Sequence, residues 1–202
     1  MTRIQQSKLL LGVMGLGGLV FIGANFYFLG PVKGLGAVLA IQLFILVTNR
    51  KQKQALKTFN IAKKLHNKKR YDEAITMFLT YLKEVKENPE KEKTTLLNFG
   101  LYTNSTVAMS FNNIGAACIE QGYYKKAEES LERAIEEDAD YAIPYYNMAL
   151  IATLRGDDER VNRYLTKTDA LGYKLTIDQL SQKVEVLPKE QIVEDVIDDA
   201  QE

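Results

Sequence analysis

Residues 108–175 repeat themselves at a spacing of 34. Phe111 recurs as Tyr145, Ile114 as Met148, Gly115 as Ala149, Gly122 as Gly156, Ala127 as Val161 and Leu131 as Leu165. A period of this length marks a chain built from stacked supersecondary units, each too small to bury its apolar face alone. The apolar positions on either side of the repeated glycine are spaced as on one face of a helix. The expected unit is a helix pair, and the expected fold class is all-α.

The order Phe111, Ile114, Gly115, Gly122, Tyr124, Ala127, Leu131, Ala134 runs from a large aromatic through an aliphatic and a small residue. A turn glycine, an alanine, a large apolar residue and a second alanine follow. In this order the chain resembles the tetratricopeptide repeat. The next copy is looser, with Tyr145, Met148, Ala149, Gly156, Val161, Leu165 and Thr168, and Pro144 in its first turn. An earlier copy is read from Ile61, Ala62 and Leu65, then Tyr71, Ala74, Phe78 and Tyr81. The reading is a domain at 50–187 with repeats at 55–88, 108–141 and 142–175 and an insertion at 89–107. Ala62, Gly115 and Ala149 are small enough to let paired helices approach closely. A capping helix is expected at 177–186, opened by a Thr176–Gln179 capping box and stopped by Pro188. Leu175, Ile177, Leu180 and Val184 are expected to cover the end of the stack. Residues 188–202 form an acidic tail in which Ile192, Val193, Val196 and Ile197 make one helical stripe. That stripe reads as a docking helix or an internal lid over the groove, against a plain solvated tail.

The charge is unevenly divided. Residues 1–71 carry twelve Lys/Arg and no Asp/Glu, while the remainder carries fourteen basic and twenty-six acidic residues. Within the basic part, Leu9 to Leu29 is uncharged over 21 residues, long enough at about 1.5 Å per residue to cross a hydrocarbon core. Gly30 and Pro31 break it, and a shorter apolar run follows from Gly34 to Thr48. The expectation is a two-helix transmembrane hairpin at 1–49, with spans at about 9–29 and 33–48. Gly36 and Ala40 offer a small-residue face for packing against the first span. A single span with a buried or interfacial second segment is the alternative. A cleaved signal is disfavoured, because the first run exceeds an h-region and Ile22-Gly23-Ala24 is a poor cleavage site. No Gly or Pro lies between Ala37 and Asn88, so the second apolar helix is expected to run on into the first repeat helix.

Lys/Arg placement puts both termini and the repeats in the cytoplasm, at the plasma (inner) membrane if the source is bacterial. Asn104-Ser105-Thr106 is a glycosylation sequon that would be used only in the opposite, lumenal topology. Arg50, Lys51, Lys53 and Lys57 are the expected membrane-surface residues, each drawn to anionic headgroups by about 1 kcal/mol. Lys63, Lys64, Lys68, Lys69 and Arg70 reach lipid only if their helix leans onto the bilayer. Nucleic acid is not an expected partner, since acidic residues crowd the rest of the domain.

Chemistry is sparse. One His and one Cys exclude a disulfide scaffold and leave no choice of partners for a nucleophile–base pair. His66 reads as a surface or groove residue and Cys118 as a buried inert thiol. Asp157, Asp158 and Glu159 read as a helix N-terminus rather than a cation site. No catalytic residue, cofactor or metal is expected, and the chain is not read as an enzyme.

The family resemblance implies instead a peptide groove lined by the first helices of successive repeats. Its residues would be Leu56, Phe59, Asn60 and Lys63, then Met109, Asn112 and Asn113, then Ile143, Tyr146, Asn147 and Leu150. Asn60, Asn113 and Asn147 hold equivalent places and could pair with an extended ligand's backbone. Ile143 and Asn147 stand where a carboxylate-gripping member of the family has basic residues, so a helix or apolar peptide is the better ligand. The expected function is a membrane-anchored interaction scaffold. The alternative is an assembly subunit acting through its hairpin within a membrane complex.

Overall fold

The computed structural model describes residues 18, 27, 35–36, 38–93, 103–174 and 176–191. The first expected span lies outside the described residues except for Gly18 and Tyr27, as do 94–102 of the insertion, Leu175, and the tail from 192. Among the described residues the regular structure is entirely helical.

A helix over 38–55, α1, leads to α2 (Lys57–Asn67). The backbone loosens only at Leu56, with φ −92° and ψ 12°. Leu56 N still donates to Gln52 O at 2.9 Å, and Asn60 N to Leu56 O at 2.8 Å. The rod therefore runs on from α1 into α2, as the lack of glycine and proline there leads one to expect. α3 (Tyr71–Glu87) returns antiparallel, and the short α4 (Glu90–Lys93) follows. α5 (Thr106–Gln121) and α6 (Tyr124–Glu137) form a second pair, and α7 (Ala142–Leu154) and α8 (Asp158–Ala170) a third. α9 (Ile177–Glu185) ends the described helices.

Local chemistry marks these boundaries. Ser105 Oγ caps α5 by accepting from Ala108 N at 3.1 Å, and Gly122 ends it at φ +82°. Asp157 caps α8 by accepting from Arg160 N at 3.0 Å, just after Gly156 at φ +66°. At α9 the Thr176–Gln179 box is closed in both directions, at 3.3 and 3.1 Å.

Each pair packs on itself, and the second helix of one pair packs on the first helix of the next: α3 on α5, α6 on α7. One apolar core threads α2, α3, α5, α6 and α7. Phe59 sits edge-on to Phe78 at 5.7 Å and tilted against Tyr81 at 5.3 Å, each pair adding about 0.5–1.5 kcal/mol beyond burial. The Tyr81 hydroxyl is satisfied by Thr106 Oγ1 at 2.8 Å. Gly115 is where α5 meets α6: a Cβ there would lie 2.7 Å from Leu131 Cγ.

At the end of the stack a helix forms where one is expected, and of the residues expected to cover that end Leu180 and Val184 pack while Ile177 does not. α9 packs on α7, with Leu180 fully buried in a second cluster made of Ala149, Leu150, Ala152 and Val161. Ile177 is 58% exposed. Gly172, at φ +86°, turns the chain between α8 and α9, and α9 packs on α7.

No helix among the described residues is long and apolar enough to cross a membrane.

Candidate functional site

The first helices α2, α5 and α7 present the face that the family resemblance assigns to ligand. The structure divides the expected residues into two groups. Leu56, Phe59, Asn112, Asn147 and Leu150 are all buried. Leu56 and Phe59 belong to the main core, and Leu150 lies in the cluster with Leu180. Asn147 Nδ2 donates to Asn112 Oδ1 at 3.0 Å inside the stack, so these amides join α7 to α5. Asn60 and Lys63 are exposed, and Met109, Asn113, Ile143 and Tyr146 are partly exposed. Lys63 Nζ lies 5.9 Å from the Phe59 ring centre, which holds its stem along the core edge while the charge stays in water.

The reachable part of the mixed groove read from the sequence is therefore a strip of polar and half-buried side chains. The cause lies in α7. Ala142, Pro144 and Asn147 through Ala152 are all buried, because α5, α6, α8 and α9 surround that helix on nearly every side.

Sequence reasoning missed what closes the face. α9 and the residues after it run back over the first helices. Tyr146 packs on Tyr173 at 6.2 Å between ring centres. Lys183 Nζ pairs with Glu120 Oε1 of α5 at 2.6 Å. Leu187 packs against the main core, and the Tyr124 hydroxyl donates to Pro188 O. Gln191 N donates to Gly122 O at 2.8 Å, and Arg155 reaches Glu190 at 3.4 Å. The turn glycine makes this approach possible: a Cβ on Gly122 would stand 2.6 Å from Lys189 O.

Around Glu120 the face is titratable. His66 stacks edge-on to Tyr71 at 5.5 Å. Burial holds its imidazole below the ordinary pKa, with Glu120 pulling the other way. Tyr71 is pushed up, first by burial and then by the Glu120 charge. Cys118 is buried, and desolvation pushes its thiol up to about 11, so it stays protonated and unreactive at neutral pH. Among the described residues no group of three or more His, Cys, Asp or Glu could hold a metal ion.

A second concavity lies on the other side. α3 and α6 both pack on α5 and leave a cleft of about 960 Å³ between them, with Ile75, Leu79, Phe111, Ile114 and Cys118 among its lining. Lys126, Glu129, Arg133 and Glu136 stand at its edge. The period that reveals the repeats says nothing of gaps between second helices, so the sequence carries no signal for it.

The expected membrane-surface residues Arg50, Lys51, Lys53 and Lys57 are all exposed along α1 and the start of α2.

Residues 110–141, which span α5 and α6, match the tetratricopeptide repeat. No curated protein matches the chain. The chain thus contains a tetratricopeptide repeat within an all-helical stack, and that repeat implies a protein-interaction role with protein as the partner class.

Proposed function

We propose that the protein is a membrane-tethered interaction scaffold, with residues 1–49 as a hairpin anchor and the repeat stack as the module that holds a partner. The observation that carries the tether is the surface of α1. Leu39, Ile41, Leu43, Phe44, Ile45, Leu46 and Val47 are all exposed, Leu43 and Phe44 by 63% and 66%. These positions go all round the helix, and a helix apolar on every side belongs in protein or lipid rather than water. Arg50, Lys51, Lys53 and Lys57 follow directly, where cations meet anionic headgroups at a cytoplasmic surface. The tetratricopeptide repeat at 110–141 supports a protein partner, and tethering raises its effective concentration at the bilayer.

Two measurements test this. Alkaline carbonate should leave the full chain in the membrane pellet, and protease added outside sealed cells should leave the repeat stack intact. Release by carbonate would remove the tether. Asn60→Ala/Lys63→Glu/Asn113→Ala, all on the open part of the face, should lose at least tenfold of a partner captured from native membranes while keeping full helicity.

The assembly-subunit reading has its own support. Gly36 and Ala40 are exposed, and among the described residues nothing lies within 4 Å of a Cβ placed on Gly36, so the start of α1 and the residues just before it offer a small-residue face to another helix. A partner kept by the triple variant but lost on exchange of residues 1–49 for an unrelated anchor would favour that reading.

A further inference from the structure

We propose that residues 176–191 are an internal ligand of the repeat face, and that the partner taken there is a short amphipathic helix with apolar side chains spaced four and three apart and a lysine directly before the second. The pattern is that of the segment already seated: Leu180, Val184 and Leu187, with Lys183. This rests on the protein-interaction reading above and states what such a partner looks like.

Three observations carry it. The first is place. A helix that simply lengthened the stack would pack chiefly on α8, as α5 does on α3 and α7 on α6, whereas α9 packs chiefly on α7 and shares with α8 the cluster that contains Val161, Tyr164 and Leu165. Its Leu180 shares a cluster with Leu150, and Tyr173 of the preceding turn packs on Tyr146, so both contacts fall on the first helix of the third pair.

The second is complementarity. Leu180 is fully buried, Val184 packs in the same cluster, and Leu187 packs against the main core. Between these apolar contacts Lys183 meets Glu120 at 2.6 Å. An acid on α5 facing His66 and Tyr71 selects a cation from whatever occupies the face.

The third is the way the segment is held. Its outer side is bare, with Ile177 58% and Val186 74% exposed. Beyond Leu187 the attachments are the Tyr124–Pro188 bond, the Gln191–Gly122 bond and the half-exposed Glu190–Arg155 pair. The Tyr124–Pro188 bond is partly buried, whereas the Glu190–Arg155 pair is a surface tie of the kind that contributes little. Among the described residues Leu187 is the one side chain of the segment packed on the main core, and it is only partly buried there.

The test uses the full-length chain in detergent and a fluorescein-labelled peptide of residues 176–191 as probe. In one variant, Lys183→Glu/Leu187→Asp, the segment is unlatched. The peptide should bind this variant at least tenfold more tightly than the unaltered chain, whose face is already filled. A peptide carrying Lys183→Glu should lose that binding and regain it on a receptor that also carries Glu120→Lys. Equal binding to both receptors, or indifference to the charge reversal, overturns the proposal.

Should the variant lose helicity, hydrogen exchange on the unaltered chain decides. The amides of Leu180 and Gln191 should exchange at least a hundredfold faster than that of Cys118. Equal protection would make 176–191 part of the stack's cooperative unit and overturn the proposal. A peptide that fails while the Asn60/Lys63/Asn113 variant still loses its captured partner sinks this inference alone. Failure of both removes the interaction reading.

Discussion

Gly115 shows how much one atom decides. An alanine at this position has the higher helix propensity, by about 1 kcal/mol. Its Cβ would stand 2.7 Å from Leu131 Cγ, 2.9 Å from Leu131 Cδ2 and 3.2 Å from Ala127 O, and Leu131 is fully buried with nowhere to move. Overpacking wins over propensity, so Gly115→Ala should lose about 1–2 kcal/mol in urea unfolding. Unchanged stability would mean that α6 slides freely on α5.

His66 gives a pH dependence whose sign is fixed. Its folded pKa lies below the ordinary 6.5, first because burial disfavours the charged ring, with Glu120 opposing. The unfolded chain therefore binds a proton more readily, and stability contributed by the neutral ring is lost as pH falls through about 6.5. Tyr71 and Glu120 face the ring, Lys183 pairs with Glu120, and all three are unchanged in the variant. Thermal melts at pH 7.5 and 5.5 should show a smaller loss for His66→Gln than for the unaltered chain, and equal losses would refute this.

At the scale of elements, the stack is joined by polar ties as well as core. Asn147 and Asn112 link α7 to α5 through a buried bond of 3.0 Å. Glu128 of α6 holds Arg155 at 2.6 Å and Arg160 at 2.7 Å, which fixes the α7–α8 turn and the start of α8. Removing one amide strands the other in a dry site, at about 1–3 kcal/mol. A double-mutant cycle over Asn112→Ala and Asn147→Ala should show the double variant losing about 1 kcal/mol less than the two single losses combined. Additive losses would mean that water replaces the missing amide and that the bond does not couple the two helices.

For the whole molecule, the question is where the stack begins. Leu56 and Phe59 are 6% and 4% exposed and belong to the core, although they come directly after the basic run. A chain starting at Gln54 keeps both and leaves behind the exposed apolar positions up to Val47. It should be monodisperse without detergent and fully helical. A chain starting at Ile61 loses the Phe59 contacts with Phe78 and Tyr81, and should be less stable by about 3–5 kcal/mol. Size-exclusion profiles and melts of the two chains check both expectations.

What the residues determine alone is local and periodic. The helical class, the repeat at 110–141, the turn glycines at 122 and 156 and the box at Thr176 are all written in short-range spacing. The turn glycines and the box depend on hydrogen bonds and backbone sterics within a few residues, and the helical class and the repeat on a period that is read along one stretch of chain. Which side of a first helix stays open is not local. Leu56, Phe59 and Leu150 occupy positions that the repeat pattern assigns to a ligand, yet all three are buried. Leu150 is covered by Leu180, thirty residues further along the chain. Lys183 on Glu120 and Gln191 on Gly122 likewise join residues more than sixty positions apart. Apolar burial is indifferent to sequence distance, and only the folded path of the chain brings such partners together.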